Sequence, residues 1–263
     1  MELWWAFLLL GAAVGFVAGL LGVGGGGIMV PILTALFLKL EFTHAVHMAL
    51  ATSLAAIVMT SWSSARSHHR HQAVLWPVVW QLSPGVLIGT FGMALFAALL
   101  PALALAIFFS VFMAYVALQM LLNIKPKASR TLPNAIGMGL VGLGIGAISA
   151  LVAIGGGSLT VPFLTWCNVR MQQAIGTSAA VGLPIACSGA IGYAISGYTQ
   201  TELPEWSVGY IYLPAVVLIS LVSMTTAPMG VALAHRLPVP LLKKCFAGLL
   251  LLLSAKMVHG VAT

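Results

Sequence analysis

Apolar runs of about 20 residues recur from one end of the 263-residue chain to the other. Each is long enough to cross a bilayer core of roughly 30 Å as a helix. Charged residues make up only 6% of the chain and hydrophobic residues 61%, with a mean hydropathy of +1.09. A soluble domain carries roughly 25% charged residues. Four acids and eleven Lys and Arg could not solvate a soluble surface of this size. The chain reads as an integral membrane protein, and its first apolar run, which lacks the basic leader of a signal peptide, as the first membrane helix.

The net charge of +7 reads as a topology signal rather than as a nucleic-acid footprint. Cys167, Cys187 and Cys245 fall in apolar segments without CxxC spacing, so no disulfide or zinc framework and no metal or other cofactor is expected.

Charges and turn residues divide the chain into ten segments, at roughly 3–22, 27–38, 43–65, 73–99, 102–123, 133–153, 158–168, 172–197, 206–234 and 239–258. Eight have spanning length. The second and seventh hold only about a dozen residues, the length of a re-entrant or broken helix.

The pattern is duplicated. "VGGGGIMVPIL" (23–33) aligns with "IGGGSLTVPFL" (154–164), and "ALATSLAA" (49–56) with "AIGTSAAV" (174–181). Trp76 and Pro84 align with Trp206 and Pro214. The expected fold is an all-α polytopic membrane protein of two inverted five-segment repeats, about ten transmembrane segments of which two are short broken helices. The first repeat covers 1–124, a cytoplasmic linker 125–132, and the second repeat 133–263.

Five segments per repeat is an odd number, so the second copy enters the membrane from the opposite side. With both termini outside, the inner loops near 66–71, 124–131, 168–171 and 235–244 collect Arg66, Arg70, Lys125, Lys127, Arg130, Arg170, Arg236, Lys243 and Lys244, nine of the eleven basic residues. That distribution satisfies the positive-inside rule. It predicts a bacterial inner-membrane protein with periplasmic termini.

Inverted repeats with paired broken helices point to a secondary transporter whose site lies near the bilayer midplane. Each glycine run precedes a short helix, with proline expected at about its fourth position. Glycines admit a bound group close to the backbone, and the unpaired N–H groups of a helix start carry partial positive charge. That chemistry suits an anion. The candidate cradle is Gly24, Gly25, Gly26, Gly27 and Ile28 in one half, and Gly155, Gly156, Gly157, Ser158 and Leu159 in the other. Thr52, Ser53, Thr177 and Ser178 are the candidate hydroxyl donors, the alternative for them being back-bonding within the helix. Gly11, Gly15, Gly19, Gly142 and Gly146, at four-residue spacing, read as packing positions.

No Asp or Glu falls inside a segment, so a carboxylate proton relay has no candidate. His47, at the outer start of the third segment, is the candidate proton-coupling group, against the plainer reading of a helix-end residue in water. His68, His69 and His71 read as an inner surface loop rather than a metal patch. Trp76 and Trp206 read as interfacial anchors.

The doubled motif, "GVGGGGIMVPIL" and "AIGGGSLTVPFL", each followed by "ALATS" or "AIGTS", resembles the TauE/SafE family of sulfite exporters and related anion permeases over essentially the whole chain. The resemblance implies transport of small sulfur-containing anions such as sulfite, sulfonates or thiosulfate. Ala153 and Ala51 stand where that pattern has glycine, which puts equal contributions from the two half-sites in question.

The expected function is therefore a carrier of a small anion working by alternating access, not an enzyme, with the proton or the membrane potential as coupling force. Its expected partners are the anion, the lipid bilayer and, given the abundant small residues, a homodimeric copy. A passive anion channel on the same fold stays open as an alternative. An intramembrane serine protease, built from Ser188 and His235, is the rival enzyme reading and has no need of a duplication.

Overall fold

The computed structural model describes residues 4–21, 25–122, 129–234 and 239–262. They form ten helices in the expected order: α1 (Trp4–Leu21), α2 (Gly26–Lys39), α3 (Ala45–Arg70), α4 (Trp76–Ala97), α5 (Ala102–Leu121), α6 (Ala135–Val152), α7 (Gly157–Trp166), α8 (Met171–Gly197), α9 (Leu213–Ala234) and α10 (Val239–Ala262). Helices α3, α4, α5, α6 and α8 are long and apolar enough to cross a membrane, and α1, α9 and α10 have 18, 22 and 24 residues. Helices α2 and α7 are short, at 14 and 10 residues. At 1.5 Å per residue they reach about two thirds and one half of a 30 Å core. Gly24, Lys125, Lys127, His235 and Arg236 lie outside the described residues.

Both short helices end in the same way. Glu41 and Asn168 adopt left-handed backbone (φ 59° and 62°), and the N–H of the next residue reaches back, Phe42 to the Phe37 carbonyl and Val169 to that of Leu164, each at 3.0 Å. This closes the helix end by satisfying a carbonyl of the last turn.

Two expected boundaries are corrected. The basic stretch at 66–71 is not a loop: α3 continues through Arg70, since nothing between Ser61 and Arg70 breaks a helix and cations favour its C-terminal end. The ninth segment does not begin as a helix at Trp206. Residues Ser207–Val208 (β1) and Ile211–Tyr212 (β2) form a two-stranded antiparallel hairpin turned by Gly209 at φ 54°. An apolar run this short carries no period that separates strand from helix.

The centre of the molecule is the antiparallel pair α3 and α8. A Cβ at Gly176 would press on the Ala73 carbonyl, at Gly182 on the Ser61 hydroxyl, and at Gly189 on Leu54. Around this pair α1 packs along α9, α4 along α6, and α5 beside α10. The spaced glycines are packing positions: Gly11 and Gly15 abut the α9 backbone at Ile219 and Ser223, and Gly142 and Gly146 abut the α4 backbone at Leu82 and Val86. Missing side chains let these backbones approach closely, where dispersion rather than water expulsion holds helices together. Trp80, Ile88, Val111 and Leu140 stay exposed on the outside, as a lipid-facing surface requires.

Candidate functional site

The two chain breaks meet. A Cβ at Gly26 would overlap the carbonyl oxygen of Ala153, so the start of α2 rests directly on the backbone between α6 and α7. Ala153 is fully buried and holds left-handed backbone (φ 47°, ψ 42°), the conformation that glycine would take without strain. Gly156 adopts it too, at φ 82°. Its own Cβ position lies 2.9 Å from Ile185 Cδ1. The loop from Ala153 to Gly157 lies against Ile57 and Ser61 of α3 and Gly182 and Ile185 of α8. These residues fall midway along 26- and 27-residue helices.

Helix α2 starts at Gly26 and α7 at Gly157, which leaves N–H groups of the first turn without an intrahelical acceptor. The Ile28 N–H is taken by the Gly25 carbonyl at 3.2 Å and the Leu159 N–H by that of Gly156 at 3.1 Å. The first-turn donors that find no acceptor among the described residues are those of Gly26, Gly27, Gly157 and Ser158. Pro31 and Pro162 stand at the sixth position of their helices rather than the fourth. Each therefore removes an interior bond, the one its N–H would give to the carbonyl four residues back, at Gly27 and at Ser158. Gly27 and Ser158 also line one small cavity of about 10 Å³, together with Ile154 and with Met113, Val116, Phe246 and Leu250 of α5 and α10. It is room for about one water.

Several hydroxyls around this centre are buried without a hydrogen-bond partner among the described residues: Ser158, Thr160 and Ser53, and also Thr90 and Ser149. Sequence reasoning singled out Ser158 and Ser53 but missed Thr160, Thr90 and Ser149. Thr160 stood within the quoted "SLTVP" and was the most legible of the three. Ser178 is buried, and its carbonyl oxygen lies 3.9 Å from the Cβ position of Gly156.

The two threonines of the "TS" pairs have other partners. The Tyr212 N–H donates to Thr52 Oγ1 at 3.1 Å, and the Leu75 N–H donates to Thr177 Oγ1 at 3.0 Å. Each fully buried hydroxyl thus holds the chain just before α9 or α4, in the half to which it does not belong. Along the antiparallel pair Thr52 lies near the level of Gly189, and Thr177 near that of Ala73. At 1.5 Å per residue the two are separated by roughly 20 Å along the axis and do not converge on one ligand.

His47 is buried, and its Nε2 is 3.1 Å from the Leu100 carbonyl. Its ring stacks on Tyr210 of the hairpin at 5.2 Å, with His44 at 6.1 Å. Nδ1 has no partner among the described residues. His47 is therefore enclosed by protein rather than bathed at a helix end, and it stands apart from the glycine breaks. Tyr193, which sequence reasoning missed, is fully buried and donates from its hydroxyl to the Ala150 carbonyl in the last turn of α6 at 3.1 Å. The Ser188 hydroxyl donates to the Leu87 carbonyl at 2.8 Å. His69, in the last turn of α3, accepts from Trp76 Nε1 at 3.1 Å.

Comparison with known proteins covers nearly the whole chain. The family model described as sulfite exporter TauE/SafE matches residues 7–257. A probable membrane transporter protein of Haemophilus influenzae is 38% identical over 257 residues, covering 95% of this chain and 96% of the relative. The probable membrane transporter protein YdhB of Bacillus subtilis is 27% identical, covering 91% and 96%. One from Methanocaldococcus jannaschii is 23% identical, covering 88% and 86%. No solved structure matches the chain.

Proposed function

Because the chain belongs to the sulfite exporter TauE/SafE family and is a multi-pass membrane transporter, we propose that it carries a small anion, a sulfur oxyanion or organosulfonate, by alternating access. The meeting of the two breaks carries this reading. Non-helical backbone is tolerated at membrane depth only inside protein or at a cavity, and here both breaks lie together beside the middle of α3 and α8.

The first-turn N–H groups of Gly26, Gly27, Gly157 and Ser158 form the cradle, and Ser53, Ser158 and Ser178 supply hydroxyl donors. Thr52 and Thr177 keep a proton each to donate while accepting from the backbone. The two halves are an inverted repeat that rocks about this centre. That symmetry is supported by the exchange in packing, in which the first helix of each half lies along the fourth of the other. The reciprocal threonine bonds support it too. A cavity of about 10 Å³ favours a carrier, which occludes its substrate, over an open channel. Coupling is to the proton, with His47 its candidate group, or to the membrane potential, in an inner membrane with both termini outside.

Uptake of radiolabelled sulfite or taurine into proteoliposomes tests the reading. Saturable flux with counterflow is expected. Flux that stays linear in concentration, with no counterflow, would establish the channel instead.

A further inference from the structure

A larger cavity, of about 360 Å³, opens where the α7–α8 turn, the chain leading into α6 and the α3–α4 turn come together, lined by Arg130, Arg170, Thr131, Asn168 and Gln173. Arg130 is held in place. The Ser129 and Arg130 N–H groups donate to the Trp166 carbonyl at 3.2 and 3.3 Å, and Trp166 Nε1 donates to Ser129 Oγ at 2.9 Å. The guanidinium lies over the Trp166 ring, 5.0 Å from its centroid. Arg170 stands at the residue before the first turn of the 27-residue α8, where the helix dipole adds positive potential. No carboxylate lines the cavity.

One wall of the cavity adjoins the interior. Leu75 lines it, and the Leu75 N–H rests on Thr177, beside Ser178 and the Gly156 loop. The other end of the α3–α8 pair differs. There Phe7, Phe37, Phe42 and Tyr212 pack ring against ring, with centroids 5.3 to 6.4 Å apart, over the Thr52 bond. One end is packed with aromatic rings, and the other has a cavity lined by two arginines, residues whose guanidinium groups bind oxyanions by paired charge-assisted hydrogen bonds.

We propose that this cavity is an anion-capture site, distinct from the central cradle, which takes a small oxyanion from the aqueous phase on the basic face and passes it inward. The transfer inward rests on the anion-carrier reading; the capture does not. An anionic lipid headgroup has the same chemistry, and the side-chain donors of Thr131, Asn168 and Gln173 favour the free ion.

The test is a titration of the full-length protein with sodium sulfate in phosphatidylcholine nanodiscs at constant ionic strength, read by tryptophan fluorescence with Trp166 the nearest reporter. A saturable change is expected, with affinity weakened roughly ten-fold or more in Arg130→Gln and Arg170→Gln, the loss of one charge-assisted contact. It should be unchanged in Arg66→Gln, which alters the same face outside the cavity. No saturable change, or equal affinities in both cavity variants and the wild type, overturns the proposal. So does a response that phosphatidylglycerol in the disc produces or blocks, because the occupant is then lipid. In proteoliposomes both cavity variants should raise KM from the basic face and keep the maximal rate; a lower rate at unchanged KM overturns capture. Binding without any transport would reject the carrier reading and leave the capture site standing.

Discussion

The Leu75 N–H donates to Thr177 Oγ1 at 3.0 Å across 102 residues of sequence. Its counterpart joins Tyr212 to Thr52 at 3.1 Å across 160. In each case a hydroxyl inside one central helix holds the residue that precedes a peripheral helix of the other half. Such bonds fix where α4 and α9 begin, and any rocking of the halves acts on them.

Thr177→Val and Thr52→Val keep the shape and delete the acceptor, leaving a part-buried N–H unpaired. The expected cost is about 1–2 kcal/mol each, seen as a lower thermal midpoint in detergent. Serine at either position should restore most of it. Valine variants that melt with the wild type would remove these bonds from the account of stability.

Gly26 and Gly27 are neighbours with opposite expected behaviour. Alanine at Gly26 drives a methyl into the Ala153 carbonyl, which is backbone and cannot yield without parting the breaks. A loss of roughly 1–3 kcal/mol is expected from such overpacking. Alanine at Gly27 meets the flexible ends of Leu250 at 3.0 Å and Met113 at 3.3 Å. That variant should fold normally and lose transport, because the methyl fills the cavity between the breaks. Normal uptake by well-folded Gly27→Ala protein would move the substrate site elsewhere. Gly26→Leu is the less decisive probe, since folding and function would fail together.

Ser53 and Ser158 have buried hydroxyls with no partner among the described residues. Alanine at either position deletes no hydrogen bond among the described residues, so thermal stability should hold. If these groups donate to the substrate, KM for the anion should rise about ten-fold. A fall in stability at unchanged KM would mark them as structural.

Ser67 and Gln200 are exposed at the end of α3 and after α8. In a background without other cysteines, Ser67→Cys should react with a membrane-impermeant maleimide only from the cytoplasmic side, and Gln200→Cys only from outside. Reversed labelling would invert the proposed orientation.

Much of the architecture was legible because it is local. Segment lengths follow the bilayer, so ten helices appear within a few residues of the expected bounds, save at the end of α3 and the start of α9. Glycine runs followed by proline mark breaks wherever they occur. The hairpin escaped because a six-residue apolar run looks alike as strand or helix, and Gly209 alone did not announce a turn. The two threonines gave no sign that they accept from backbone N–H groups more than 100 residues away. Tyr193 showed nothing in sequence of its bond to Ala150 across 43 residues.

Hydropathy, the odd number of segments and the basic loops by themselves determined the membrane class, the count of helices and the places where two of them break, because each depends on neighbouring residues and on the solvent. Only the tertiary structure decided that the two breaks touch at Gly26 and Ala153, and that Ile28 and Leu159 have already spent their N–H groups. It also decided that one end of the central pair is packed with aromatic rings while the other carries a cavity lined by Arg130 and Arg170. Those outcomes depend on partners distant in the chain, brought together by packing that no local pattern encodes.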